Sequence, residues 1–158
     1  MPRGTTAREF YGALGRRSLR PVLGDGVDEL SDAELTDSFY YTLFPNFHPW
    51  GAYNRIVYRF RPNGDDHESA IMECIFLSPF TGDRPPPAPI HWLDEAERWM
   101  DAPELGMLGR VFDQDSFNLP NVQRGLKTMR KAGVTLAAYQ ETKIRHFHAL
   151  LDDWLARD

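Results

Sequence analysis

The sequence contains a single cysteine, Cys74, among its 158 residues. One cysteine cannot form an intrachain disulfide, and it cannot build a cysteine-rich zinc or iron–sulfur site. No apolar run is long enough to span a bilayer, and the first residues lack the apolar segment of a signal peptide. The net charge of −5 argues against a broad nucleic-acid surface. We therefore expect a cytoplasmic protein that binds neither nucleic acid nor membrane.

The composition is that of a globular domain, with 42% hydrophobic and 13% aromatic residues. Residue patterns predict long or medium helices over residues 5–23, 93–100, 116–132 and 136–156, and a short helix that begins at the capping box of Ser31 and Glu34. They predict strands over residues 39–47, 55–61 and 69–77. A loop is predicted over residues 78–90 and an extended stretch over residues 107–112. Strands in the middle and long helices at the end indicate an α+β fold, an antiparallel sheet with helices on one face.

The second and third strands form the clearest local pattern. Ile56, Tyr58 and Phe60 alternate with arginines, and residues 62–66 have the composition of a turn. We expect a hairpin here. On the third strand, Glu73 needs a partner because a carboxylate inside an apolar strand is costly, and Arg59 across the hairpin can supply it.

Two acidic residues, Asp113 and Asp115, stand where a helix is expected to begin. Aspartate is favoured as a helix N-cap and near the positive end of the helix dipole, which is the commoner reason for such a position. The alternative is a metal ligand, because a non-haem Fe(II) site combines two histidines with one carboxylate.

Three segments, Phe44–Gly51, Ile56–Gly64 and Asp113–Leu126, resemble the C-terminal part of the catalytic domain of Rieske-type non-haem iron ring-hydroxylating oxygenases, in the alpha subunit. The resemblance extends over nearly the whole chain. It implies a helix-grip fold, here incomplete, in which the antiparallel sheet packs against a long C-terminal helix. It also implies Fe(II), O2 and an aromatic or related small substrate, with electrons from a reductase or ferredoxin, and neighbouring alpha subunits as partners.

The resemblance assigns the carboxylate ligand of the iron to an acidic residue shortly before Gln123. Asp115 is the best match, with Asp113 as the fallback. The family's His-x-x-x-x-His pair is missing, since the five histidines do not have that spacing, and the signature of the 2Fe–2S cluster is missing too. We therefore expect no intact iron site, no ligated 2Fe–2S cluster and no activity in the isolated chain.

The remaining candidates line a predicted substrate pocket between the sheet and the last helix: Met72, Cys74, Phe76 and Asn118. Ordinary core is the commoner role for each of them. Aromatic side chains, Tyr53 among them, crowd residues 40–60 and suit either a pocket wall or a core. His48 is expected to be structural, and His148 to be a core or interface histidine rather than a ligand.

Residues 1–158 are thus predicted to form the C-terminal part of an oxygenase catalytic domain, as a fragment, as half of a split protein or as a remnant without chemistry. The alternative function is a non-catalytic module that binds a ligand in the same pocket or assembles with the remaining half of an alpha subunit.

Overall fold

The computed structural model describes residues 3–51 and 55–157, so Tyr53 lies outside the described residues. The chain divides into two compact units. The first, called the sheet unit, comprises Met1–Pro85 and Phe147–Asp158; the second, called the α3 unit, comprises Pro86–His146. Each unit is described by itself.

The sheet unit begins with two helices, α1 (Ala7–Leu23) and α2 (Asp32–Thr36). The predicted capping box opens α2, because the Ser31 hydroxyl accepts from the Glu34 backbone N–H and the Glu34 carboxylate accepts from the Ser31 N–H. A short 3-10 helix, Gly24–Glu29, joins α1 to α2. The predicted first helix and the predicted capping box are both confirmed.

A three-stranded antiparallel sheet follows, in the order β1 (Phe47–Pro49), β2 (Ile56–Asn63), β3 (Asp66–Phe76). The β2–β3 hairpin confirms the predicted one, with Tyr58 opposite Cys74. The sheet is open and the fold is α+β, as expected.

The strand predicted over residues 39–47 is wrong. Only two isolated bridges form there, Tyr40 with Trp50 and Leu43 with Phe47. The physical reason is that the chain reverses inside the segment: Leu43 and Phe47 exchange both backbone hydrogen bonds across a turn containing Pro45, which has no N–H. The strand therefore begins only at Phe47.

In the α3 unit, the helix predicted over 93–100 is wrong: turns replace it, followed by the 3-10 helices Trp99–Asp101 and Pro103–Leu105. The extended stretch predicted over 107–112 is wrong as well, because α3 (Leu108–Thr128) already begins there. Packing decides this start, since Phe112 is buried and its ring lies 5.2 Å from that of Trp99.

The last helix, α4 (Thr142–Leu155), starts six residues later than predicted. Two residues of its apolar stripe, Phe147 and Trp154, contact the Phe44 ring in the segment before β1, with centroid distances of 5.5 and 5.7 Å. No helix in the described ranges is both long and apolar enough to cross a membrane.

The buried apolar core of the described residues is small. It consists of Val27, Ile56, Val57, Ala102, Leu105 and Phe112. Many large apolar side chains are exposed instead, on α3, on α4 and on the edge of the sheet. Surface of this kind is typical of a face that another chain segment or another molecule covers.

Candidate functional site

Asp113 is the sixth residue of α3, so it lies inside the helix and not at its N-terminus. Its carboxylate accepts one hydrogen bond from the Trp99 backbone N–H at 2.7 Å and another from Arg98 Nη2 at 2.8 Å. Only 16% of its side chain is exposed. This geometry fits neither an Asp113 that caps the helix nor an Asp113 that is free to bind a metal. Both of its carboxylate oxygens already hold the preceding 3-10 turn against the helix.

Asp115 is also inside α3, so it does not cap the helix either, but its surroundings are different. It is exposed. At 3.6 residues per turn, Asp115 falls between Phe112 and Leu119 on one stripe of the helix, which continues through Val122 and Leu126. Leu119, Val122 and Leu126 are 57%, 55% and 44% exposed. The α3 stripe, defined as Phe112, Asp115, Leu119, Val122 and Leu126, thus has a carboxylate in its middle.

Pro120 lies in the interior of α3. Proline has no N–H for the carbonyl of residue 116 and disturbs the helix at that point. Ser116 is nevertheless engaged through its side chain, because its hydroxyl accepts a 2.8 Å hydrogen bond from Trp99 Nε1. Asp113, Ser116 and Trp99 therefore form one polar cluster that fastens the first half of α3.

An open groove of about 900 Å³ runs beside this cluster in the α3 unit. It has charges of both signs, including Glu97 and Arg110, and Asn118 lies on its wall. The groove has no residue of the sheet or of the last helix among its lining residues, so it is not the predicted pocket. Asp113 lines the groove too, so the structure brings Asp113 and Asn118 together. Asp115 is absent from the lining residues. The predicted Asp113/Asp115 pair is thus separated onto different sides of one helix.

The other predicted pocket residues lie on β3 in the sheet unit. Met72 and Cys74 stand opposite Phe60 and Tyr58, and together they form an apolar face that His48 of β1 extends. Burial raises the pKa of the Cys74 thiol to about 11, which keeps it protonated and makes it a poor nucleophile.

Phe76 is 40% exposed at the end of this strand, with the Arg55 guanidinium 5.4 Å from its ring centroid. It shares the face of Met72 and Cys74 by the two-residue period of the strand. Three of the four predicted pocket residues therefore lie on one sheet face.

His48 has the structural surroundings expected for it. Its Nδ1 lies 3.2 Å from the Thr42 hydroxyl and its ring stacks on Tyr40, with 5.6 Å between centroids. Partial burial lowers the His48 pKa and raises the Tyr40 pKa, because desolvation disfavours the charged form of each. Both rings are therefore neutral at pH 7, and they act as apolar surface.

The sequence did not indicate that the indole of Trp50 would be unusual. Its Nε1 is buried, and no hydrogen-bond acceptor in the described part of the chain reaches it. Its ring meets those of Tyr40 and Tyr58 at centroid distances of 5.1 and 6.1 Å, both nearly edge to face. No sequence pattern predicts a buried indole N–H without an acceptor, because this property results from packing alone.

On the opposite sheet face, Glu73 joins two arginines. Arg59 Nε donates to one carboxylate oxygen and Arg61 Nε donates to the other at 2.7 Å. The Arg59 hydrogen bond, with help from Arg61, lowers the pKa of Glu73. The predicted Glu73–Arg59 pair is confirmed, and Arg61 is an additional partner that the alternation of β2 places on the same face.

The histidines do not gather around either aspartate. His146 and His148 are exposed on α4, and His148 has its ring edge to face with Phe147 instead of lying in a core. His91 Nδ1 is 3.0 Å from a Glu104 carboxylate oxygen. Across residues 3–51 and 55–157, no group of three His, Cys, Asp or Glu side chains is arranged to hold a metal ion.

Comparison with known proteins identifies the class that this arrangement belongs to. The family model described as ring hydroxylating alpha subunit (catalytic domain) matches residues 15–157, and the chain belongs to this family. Searches of curated proteins and of solved structures return no match. The match begins within α1 and ends two residues beyond α4, so it includes both units.

The family implies a non-haem iron catalytic domain, and the described residues do not fit that ion by themselves. An iron site of this type takes two imidazoles and one carboxylate. The α3 stripe offers one exposed carboxylate, Asp115, and the described residues place no imidazole pair beside it.

Proposed function

We propose that the chain is the C-terminal part of the catalytic domain of a Rieske-type mononuclear non-haem iron oxygenase. With O2, the complete enzyme hydroxylates an aromatic or related small organic substrate in the cytoplasm. The family match over residues 15–157 carries this proposal. The histidine ligands and the 2Fe–2S cluster come from the remaining alpha-subunit half or from neighbouring alpha subunits, and electrons come from a reductase or ferredoxin.

Within that assembly, Asp115 is the residue we assign to the carboxylate position. Its support is geometric: it is exposed at the centre of an apolar stripe, so whatever covers the α3 stripe also meets this carboxylate. Asp113 is the fallback from the sequence, but its two oxygens are used by Trp99 and Arg98. Ligation by Asp113 would require breaking both of these hydrogen bonds.

The substrate surface that we assign to this chain is the apolar face of the hairpin, with Met72, Cys74 and Phe76. Its lining is apolar and aromatic, and Cys74 stays protonated, so it can contact a neutral ring without reacting with it. Asn118 offers an amide for hydrogen bonding on the wall of the groove in the α3 unit. The helix-grip arrangement of the complete domain belongs to this proposal.

The test begins with the DNA upstream of the gene, where a reading frame with the Rieske signature and the His-x-x-x-x-His pair is expected. The two chains are co-expressed, and iron content and O2 uptake with a reductase are measured. Asp115→Asn should lose the iron, whereas Asp65→Asn, in the hairpin turn, should keep it. Iron retained in Asp115→Asn but lost in a folded Asp113→Asn would transfer the ligand role to Asp113.

The chain alone, supplied with Fe(II) and a reductase system, should form no product. Product formation by the chain alone would contradict the proposal that it needs the other half. If upstream DNA has no such frame, the family membership reflects ancestry, and the non-catalytic alternative takes precedence.

That alternative, a ligand-binding or assembly module, is favoured by one observation, the exposed apolar side chains on α3. Binding of an apolar dye or an aromatic ligand without any metal would support the ligand-binding form. Copurification with an alpha-subunit half, without iron, would support the assembly form.

A further inference from the structure

The tip of the β2–β3 hairpin holds the only asparagine of the sequence that is followed by a glycine, Asn63 before Gly64. The side-chain amide of an asparagine can be attacked by the backbone nitrogen of the next residue, and a side chain on that residue hinders the attack. Glycine has no Cβ and leaves the approach open. The other four asparagines precede phenylalanine, arginine, leucine or valine. Asn63 is therefore the asparagine whose amide is most open to this reaction.

The structure leaves the attacking nitrogen free. Gly64 is the first residue of the turn that joins β2 to β3, and its φ of 58° lies in the left-handed region that glycine favours. Among the residues that the structure describes, none makes a hydrogen bond with the Gly64 N–H. Residues 62–70 are all exposed, so water has access to the whole turn. The nucleophile and the water needed for hydrolysis are both available here.

A short hydrogen-bond chain restrains the amide of Asn63. Its Nδ2 donates to the Ser69 hydroxyl at 3.0 Å, and the Ser69 hydroxyl donates to Asp66 Oδ2 at 2.8 Å. Because the one proton of Ser69 is directed at Asp66, the Ser69 oxygen can only accept from Asn63. The other oxygen of Asp66 accepts from the Glu68 N–H at 2.9 Å, which fixes this carboxylate. The Asn63 side chain is thus held toward β3 by a contact that has to be broken before Gly64 can react with it.

We propose that Asn63 is a site of spontaneous deamidation and that Ser69 sets its rate. This inference is independent of the oxygenase proposal. The Gly64 nitrogen bonds to Cγ of Asn63, the Cγ–Nδ2 bond breaks, and ammonia leaves with the proton that the Gly64 nitrogen gives up. The resulting succinimide then takes up one water. Addition of water at Cγ gives aspartate, and addition at the backbone carbonyl carbon gives isoaspartate, in which the main chain passes through Cβ and Cγ.

The contact with Ser69 slows this reaction. Ring closure requires Cγ to turn toward the Gly64 nitrogen and Nδ2 to leave, so the Asn63–Ser69 hydrogen bond has to be broken first. The strength of one neutral hydrogen bond corresponds to a change of about two- to ten-fold in rate. Removal of the Ser69 hydroxyl should therefore accelerate deamidation by that factor.

Deamidation changes both the charge and the connectivity of the turn. Asn63 is paired with Asp66 across the hairpin, so a carboxylate at residue 63 places two negative charges opposite each other, which is destabilising. The new carboxylate also has no hydrogen to donate to Ser69. In the isoaspartate form one methylene is added to the main chain, which no longer matches the two-residue turn between Asn63 and Asp66. The modified hairpin is therefore less stable at its tip.

Peptide mapping by mass spectrometry tests the site. The folded full chain is incubated in mildly alkaline buffer, and each of its five asparagines is followed by the mass gained when an amide becomes an acid. Asn63 should lose its amide first and yield both aspartate and isoaspartate, while the other asparagines stay intact. Asn63→Gln is the control variant: it keeps an amide at this position but moves the amide carbon one bond farther from the backbone, so it should not react.

Two variants of Ser69 test what sets the rate. Ser69→Ala should deamidate at Asn63 about two- to ten-fold faster than the unchanged chain, whereas Ser69→Thr, which keeps the hydroxyl, should match the unchanged chain. An Asn63 that reacts in urea but stays intact in the folded chain overturns the proposal, because the fold then protects the amide. Equal rates in Ser69→Ala and the unchanged chain also overturn it, as does equal acceleration in Ser69→Ala and Ser69→Thr, because the hydroxyl then does not set the rate.

Discussion

Replacing Asp113 by alanine should weaken the α3 unit strongly, whereas replacing Asp115 should not. The two residues are neighbours on one helix and have the same chemistry, so each controls for the other. Asp113→Ala removes the acceptor of the Trp99 backbone N–H, at 2.7 Å, and of Arg98, at 2.8 Å. Asp115→Ala removes an exposed carboxylate from an apolar stripe.

The magnitude follows from these contacts. A hydrogen bond to an ionised carboxylate is worth about 1.5–3 kcal/mol, and its loss leaves the Trp99 N–H without an acceptor. Because the Arg98 side chain is 68% exposed, its contribution is under about 1 kcal/mol. We expect a loss of about 2–3 kcal/mol for Asp113→Ala. For Asp115→Ala we expect a change within about 0.5 kcal/mol, in the stabilising direction because alanine favours helix.

Urea unfolding followed by tryptophan emission measures the difference. A Trp92→Phe background leaves Trp99 as the tryptophan of the α3 unit; Trp92 is 63% exposed, so this change perturbs little. Trp50 and Trp154 of the sheet unit also emit, so both alanine variants are compared in this same background. With a slope of about 1.5 kcal/mol per molar urea, a loss of about 2–3 kcal/mol lowers the midpoint of Asp113→Ala by about 1.3–2 M. Equal midpoints in the two alanine variants would refute the assignment of Asp113 as the structural carboxylate.

Four further predictions concern the sheet and α3. Glu73→Gln should destabilise the protein by about 1 kcal/mol or less at neutral pH. The folded-state pKa of Glu73 is lowered from 4.5, so the ionised carboxylate stabilises the fold above that value, and this stabilisation is lost as the pH falls through the lowered pKa. The unfolding curves of Glu73→Gln and of the unchanged protein should therefore converge in acid. Gly109→Ala should destabilise α3 by about 1–3 kcal/mol, since the added Cβ would lie 2.8 Å from the Trp99 carbonyl oxygen. Gly125→Ala, where nothing lies within 4 Å, should stabilise the same helix by about 0.5–1 kcal/mol in thermal unfolding. Alkylation of Cys74 by iodoacetamide at pH 8 should be about 100-fold slower than that of a thiol with the ordinary pKa of 9.0, and an equal rate would contradict its burial.

Local chemistry was sufficient to predict several elements from the sequence. The α2 cap depends on two side chains three residues apart, Ser31 and Glu34, and the β2–β3 hairpin on strict alternation around a turn. The Glu73–Arg59 pair follows from the same alternation, because it puts both residues on one sheet face. Each of these depends on neighbours within about 15 residues, so no knowledge of the tertiary structure was needed.

The start of α3 could not be predicted in this way. Residues 107–112 have a composition that suits an extended segment, yet Phe112 packs on Trp99, and the unsubstituted Gly109 allows the Trp99 carbonyl to approach the helix. The helix contains eight residues before Ser116, and these place Asp113 and Asp115 in its interior instead of at its N-terminus. In the sequence, Asp113 and Asp115 are both candidates for a helix cap or a metal ligand. The earlier start of α3 removes this equivalence.

The sequence by itself determined the class of fold, the family resemblance and the hairpin, because these are recorded in residue order and periodicity. Only the tertiary structure separated the two aspartates. Asp113 turns toward a 3-10 segment 14 residues earlier and is satisfied there, while Asp115 is carried to the exposed apolar stripe. The physical reason is that each helical residue is rotated by 100° from the one before it. Two residues that are two positions apart on α3 therefore point to nearly opposite sides of the helix, and packing decides which side is covered.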